Sequence, residues 1–233
     1  MVFQTKRKKL VKVNLLTCAV LVSSISCICI NVHADEGTSN ATVKVNPSSQ
    51  QTDPHDPTDP NQMNVPPKDS IDVGNMGTGE SGDLTMDYLP NLFFEDGHLS
   101  DEKAEYSLVN THPFIQVSDY RGSDKGWQIS VQSSKLTSKD GDEIRGANIH
   151  FNKAQIKTMD DNTSDAPTLN STMVATNQTT TNLLTATKDT GRGTWLATFE
   201  NKHAITLEVP ANEGKVNHTY NLTLTWLLAD TPA

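Results

Sequence analysis

Beyond residue 34 the chain contains no cysteine. All three, Cys18, Cys27 and Cys29, sit in its first thirty residues. That opening reads as an export address: "KRKKLVK" supplies positive charge, "VNLLTCAVLVSSISCICI" the apolar stretch, and "VHA" small residues before Asp35. Removing residues 1–34 as a signal peptide leaves a secreted chain that can form neither a disulfide nor a cysteine metal site. A lipid-modified Cys27 is disfavoured, because "SSISC" has no Leu three positions upstream. No later apolar run approaches the roughly 20 residues of a membrane span, so no transmembrane anchor is expected in the mature chain. Positive charge is also scarce. Five of the 19 Lys and Arg leave with the signal, so 14 face 28 Asp and Glu, a balance of −14. That balance excludes a large basic face and, with it, nucleic-acid binding.

Aromatic residues are absent from Asp35 to Ser81, which hold six of the eleven prolines and the short repeat "TDPHDPTDP". Such a segment is expected to lack the apolar surface that offsets ordering entropy, so residues 35–81 are expected to form a disordered Asp/Pro-rich linker. The aspartates match no calcium loop, having neither the obligatory glycine nor the closing glutamate. "MDDNTSD" at residues 159–165 fails the same test.

What the chain does have lies beyond Gly82: all three tryptophans, all four tyrosines and five of six phenylalanines. Residues 82–233 are the size of one domain. Apolar residues recur there at every second position: Leu84, Met86, Tyr88; Trp127, Ile129, Val131; Ala147, Ile149, Phe151; Trp195, Ala197, Phe199; Ile205, Leu207, Val209. "YNLTLTWLL" near the end places Tyr220, Leu222, Leu224, Trp226 and Leu228 on one side and Asn221, Thr223 and Thr225 on the other. Separated by turn signals such as "RGSDKG", "SKDGDE", "DTGRG" and "PANEGK", these runs predict an all-β fold, an antiparallel β-sandwich or barrel-like domain. Only "SDEKAEYSL" offers a turn or two of helix. Trp226 is assigned to core packing, with ligand stacking as the alternative.

Catalytic constellations are missing. There is no G-x-S-x-G or H-E-x-x-H, and the six later histidines (His55, His98, His112, His150, His203, His218) show no metal-ligand spacing. No catalytic residue, metal site or cofactor is expected.

"LTMDYLPNLFF", "YRGSDKGWQISV", "GRGTWLATF" and the terminal "YNLTLTWLLADTP", behind an Asp-Pro spacer, resemble the WxL surface proteins of low-GC Gram-positive bacteria. The two signature triads fall on Trp127-Gln128-Ile129 and Trp226-Leu227-Leu228; the first carries Ile where the family name has Leu. The resemblance implies non-covalent attachment to the cell wall by a C-terminal peptidoglycan-binding domain, often beside other surface proteins of the same locus. A disulfide-free exported chain suits that surface, and the sequence shows no sortase-type anchor. Trp127, Ile129, Trp226 and Leu228 are therefore the candidate binding residues, with Trp195 beside them as a possible supporting contact. Arg121, Lys125 and Arg192 near the tryptophans either meet wall carboxylates or are solvated turn residues interleaved with aspartates. The alternative function is a subunit of a multi-protein surface complex whose wall contact is indirect.

Overall fold

The computed structural model describes residues 41–63, 69–170 and 172–230. The expected signal peptide and the first residues of the expected linker lie outside the described residues. The chain divides into two compact units, Met1–Val43 and Lys44–Ala233, and every described strand lies in the second.

Among the described residues fifteen strands form: β1 Leu84–Tyr88, β2 Ala104–Ser107, β3 Phe114–Asp119, β4 Trp127–Ser133, β5 Leu136–Ser138, β6 Glu143–Ile144, β7 Asn148–Phe151, β8 Gln155–Lys157, β9 Thr168–Leu169, β10 Thr172–Ala175, β11 Thr180–Ala186, β12 Gly193–Thr198, β13 Ile205–Val209, β14 Tyr220–Asn221 and β15 Leu224–Asp230. They pair antiparallel in three four-stranded sheets, ordered β1-β3-β12-β8, β10-β7-β13-β2 and β15-β4-β11-β9, and one three-stranded sheet, β14-β5-β6. The all-β, antiparallel expectation is met, and no described residue is helical. "SDEKAEYSL", read as a possible helical turn, instead supplies β2, whose Tyr106 lies opposite Leu207 of β13.

The period-two pattern sets which faces meet. β4 alternates buried and half-buried through all seven residues, with Trp127, Ile129 and Val131 inward. Ile115, Val117, Trp195 and Ala197 of the first sheet, Ile149, Phe151, Val174 and Ile205 of the second, and the β4 and β11 residues of the third share one core. Because each sheet contributes one apolar face, none is stable as an isolated ribbon. "YNLTLTWLL" keeps its alternation yet serves two sheets: Tyr220 and Asn221 pair with β5, and the chain joins β4 from Leu224 onward.

β3 departs from the half-buried pattern, since all six of its residues are buried. On its second face, which carries Phe114, Gln116 and Ser118, Gln116 is hydrogen-bonded to the Asp-Pro segment. The His55 amide donates to Gln116 Oε1 at 2.8 Å, and Gln116 Nε2 donates to the Asp53 carbonyl at 3.1 Å. Asn91 Nδ2 donates to Asp72 Oδ1 at 2.7 Å, and Asn110 Nδ2 to Asp69 Oδ2 at 2.8 Å. Gln51 bridges Ser81. Order arises here without apolar side chains for a physical reason: the carboxylates satisfy nearby backbone N–H groups. Thr58 N–H donates to Asp56 Oδ1 at 2.8 Å and Ile71 N–H to Asp69 Oδ1 at 3.0 Å, the Asx-turn device. The apolar surface against which the segment packs belongs to the sheet, where Tyr88 stacks on Phe114 at 4.0 Å.

Asp87 lies buried on this covered face. Burial pushes its carboxyl up from the ordinary value, opposed by hydrogen bonds from Ser118, Thr85 and Gln116 and by nearby His55.

Candidate functional site

The two signature triads become neighbours through β4 and β15, where Leu228 lies opposite Ile129, Trp226 opposite Val131 and Asp230 opposite Trp127. Their environments differ. Trp127 and Ile129 are 0 % exposed. The Trp127 indole N–H donates to the Gly191 carbonyl at 2.9 Å. Gly191 has φ +74°, and a Cβ there would stand 2.9 Å from Trp127 Nε1, so a glycine is needed where the ring lies on the backbone. Trp226 and Leu228, on the edge strand of the same sheet, are half-buried. Trp226 meets Phe151 edge-on, with centroids 6.2 Å apart and an interplanar angle of 83°. Trp127 and Ile129 of the first triad thus lie in the core, while Trp226 and Leu228 of the second sit at its rim.

Trp195 is also core, 4 % exposed, its indole N–H donating to the Arg192 carbonyl at 2.8 Å. The Arg192 guanidinium lies 3.1 Å from the Asp124 carboxylate. Arg121 works as a clip. It donates to Asp119 at 2.9 and 2.7 Å and to the Gly126 carbonyl at 2.7 Å, and it pairs with Asp230 at the end of β15. Hydrogen bonding to Asp119 raises the guanidinium pKa still further. Arg121 therefore ties β3, the turn before Trp127 and the last strand together, and Lys125 stands exposed in that turn.

Trp226 opens into a cleft of about 990 Å³, whose apolar lining includes Phe93, Tyr106, Leu207, Tyr220 and Leu222. One wall is the loop from Leu89 to Leu99. It is held by Phe93 N–H to Asn110 Oδ1 (2.8 Å), Val109 N–H to the Phe93 carbonyl (2.8 Å) and Glu95 N–H to the Ser107 carbonyl (2.9 Å). Those main-chain bonds leave the Phe93 ring 43 % exposed. The opposite wall is the stretch from Glu213 to Leu224. There Lys215 N–H donates to the Tyr220 hydroxyl at 2.8 Å, the Lys215 ammonium pairs with Asp142, and His218 Nε2 lies 3.4 Å from both Asp140 and Asp142. The Asp142 contact raises the Lys215 pKa. Around the apolar floor stand Glu95, Asp96, His98 and Asn217. Aromatic faces surrounded by hydrogen-bonding side chains suit a ligand that is apolar on its flat faces and polar at its edges.

Among the described residues, no group of three or more His, Cys, Asp or Glu is placed to hold a metal ion, and no helix is long and apolar enough to cross a membrane.

Residues 32–232 match the family described as "WxL domain surface cell wall-binding". The chain belongs to the WxL family. No curated protein and no solved structure matches it. WxL proteins are a cell-surface binding family rather than an enzymatic one, which places this protein at the cell surface with the wall as partner. The WxL match begins well before Gly82, in keeping with the packing of the Asp-Pro segment onto the sheet.

Sequence reasoning misses most of the cleft: Phe93, Tyr106, Leu207, Tyr220 and Leu222 converge from four separate stretches of the WxL chain. One signal is present. "LPNLFFEDGHL" puts two adjacent phenylalanines between turn residues, off any strand period, which is how an exposed aromatic loop reads.

Proposed function

We propose that this WxL protein is exported and held non-covalently at the Gram-positive cell wall, its domain binding peptidoglycan in the cleft beside Trp226. The observation that carries this reading is the half-buried Trp226 ring at the mouth of an aromatic-lined cleft, in a chain whose family binds cell walls. Net charge argues for shape over long-range attraction, because the mature balance of 14 basic against 28 acidic residues repels an anionic wall. Stacking on sugar rings carries no such requirement. In this reading Trp226 supplies the stacking face. Leu228 packs behind it against the core, and Trp127, Ile129 and Trp195 hold the sheets that shape the site.

A second reading has its own support. β15 is an edge strand carrying Leu227, 51 % exposed, so an extended segment of another surface protein has main chain and one apolar side chain to pair with. Co-sedimentation with isolated, protein-free wall sacculi separates the two. Peptidoglycan binding predicts that the purified chain pellets with the sacculi; indirect attachment predicts that it stays in the supernatant.

A further inference from the structure

The stretch Glu213 to Tyr220 is a partition with a pocket on either side. Glu213, Gly214, Lys215 and Tyr220 line both the Trp226 cleft and a second pocket of about 370 Å³, which is closed by Gly141, Asp142, Glu143, Arg145 and Asn212. The two pockets differ in chemistry. The cleft combines charged residues with an aromatic and aliphatic lining that includes Phe93, Tyr106, Leu207 and Trp226, whereas the second pocket has Tyr220 as its one large apolar side chain beside three carboxylates and two cations.

Its charges are not all engaged alike. Lys215 pairs with Asp142, and Glu143 with Lys135 at 2.8 Å. Glu213 accepts the Arg145 backbone N–H at 3.0 Å, which fixes the base of Arg145. The exposed Arg145 guanidinium itself enters no ion pair among the described residues. It is the cation of the pocket available to an incoming anion.

We propose that the two pockets form one composite site for a sugar–peptide ligand. The sugar lies in the Trp226 cleft, and the attached short peptide crosses the Glu213–Tyr220 partition to place a free carboxylate on Arg145. This rests on the wall-binding reading and narrows it to wall fragments whose stem peptide keeps a free carboxyl end. Arg145 supplies a forked, charge-assisted contact that a bare sugar cannot use.

The test uses the full mature chain and three soluble probes: a disaccharide-pentapeptide released from peptidoglycan, the same disaccharide with its peptide removed, and the pentapeptide form with its carboxyls amidated. Calorimetric titration is expected to rank the intact probe tightest. Arg145→Ala, a change at an exposed side chain, is expected to weaken the intact probe about tenfold and leave the peptide-free disaccharide unchanged, while amidation reproduces the loss without mutation. Equal affinity of wild type for all three probes, or an equal effect of Arg145→Ala on all three, overturns the composite site. If wild type pellets with intact sacculi but binds none of the probes, the composite site falls and the wall-binding reading stands. If the sacculi also fail to retain it, both fall.

Discussion

Leu228 lies directly across the β4–β15 ladder from Ile129, so the two signature triads, a hundred residues apart in the chain, are one structural unit. Direct cross-strand pairs are the closest side-chain neighbours a sheet offers. The Ile at position 129 keeps apolar contact at a site that is 0 % exposed, and the departure from Leu therefore falls where shape is read by the core. The first triad builds the wall against which the second is displayed.

That division of labour separates two tryptophans by measurement. Trp127→Ala removes a fully buried ring and its bond to Gly191, and is expected to cost about 3–5 kcal/mol, lowering the melting temperature by about 6–20 °C. Trp226→Ala, at a half-buried site, is expected to keep a cooperative melting transition nearer the wild-type temperature. Differential scanning calorimetry of the two variants decides; a larger loss at Trp226 contradicts the assignment.

Arg121 is a candidate wall contact by sequence, and its surroundings argue for a clip. Its guanidinium, 10 % exposed, is engaged by Asp119, Gly126 and Asp230. Arg121→Ala is expected to destabilise the fold by about 1–3 kcal/mol through the buried acceptors it leaves without a donor. It should also speed proteolysis at the end of β15, while binding per folded molecule is retained. Loss of wall binding without loss of stability would restore the contact role.

The covered face of the first sheet predicts a pH dependence. Because the Asp87 carboxyl is raised by burial, the folded state holds a proton that the unfolded chain releases. The stability this contributes is complete below about pH 4 and is lost as pH rises through the elevated folded value. Asp87→Asn does not titrate. The melting temperature of wild type minus that of Asp87→Asn is expected to grow as pH falls from 7 toward 4.5. A difference that stays flat or shrinks would show that Asp87 does not titrate in this way.

The strands were legible and the packing of residues 51–63 and 69–81 was not, for related reasons. Where each strand owns one apolar face, as in Trp127-Ile129-Val131 or Tyr220 to Leu228, alternation alone reports the fold. The Asp-Pro segment owns almost no apolar face. It is ordered by carboxylates such as Asp56 and Asp69 bonding their own turns, and by a sheet surface that it covers. Composition counts what a segment brings and is blind to what it lies on. The cleft was hidden for a different reason, since Phe93, Tyr106 and Tyr220 meet only after a loop and two separate sheets have come together.

A chain beginning at Gly82 tests the boundary. Without residues 51–81, the Phe114, Gln116 and Ser118 face of β3 meets water. Compared with a chain beginning at Lys44, it is expected to melt lower and to bind a hydrophobic dye. Equal melting temperatures would support the spacer role expected for residues 35–81.

The central claim is that an aromatic cleft beside the second triad grips the wall. Binding isotherms on protein-free sacculi, taken for wild type, Phe93→Ala and Trp226→Ala with each variant's melting transition recorded alongside, test it most directly. The cleft account predicts that both variants remain folded and lose most of their retention. Full retention by both folded variants would place the grip elsewhere on the molecule and contradict the account.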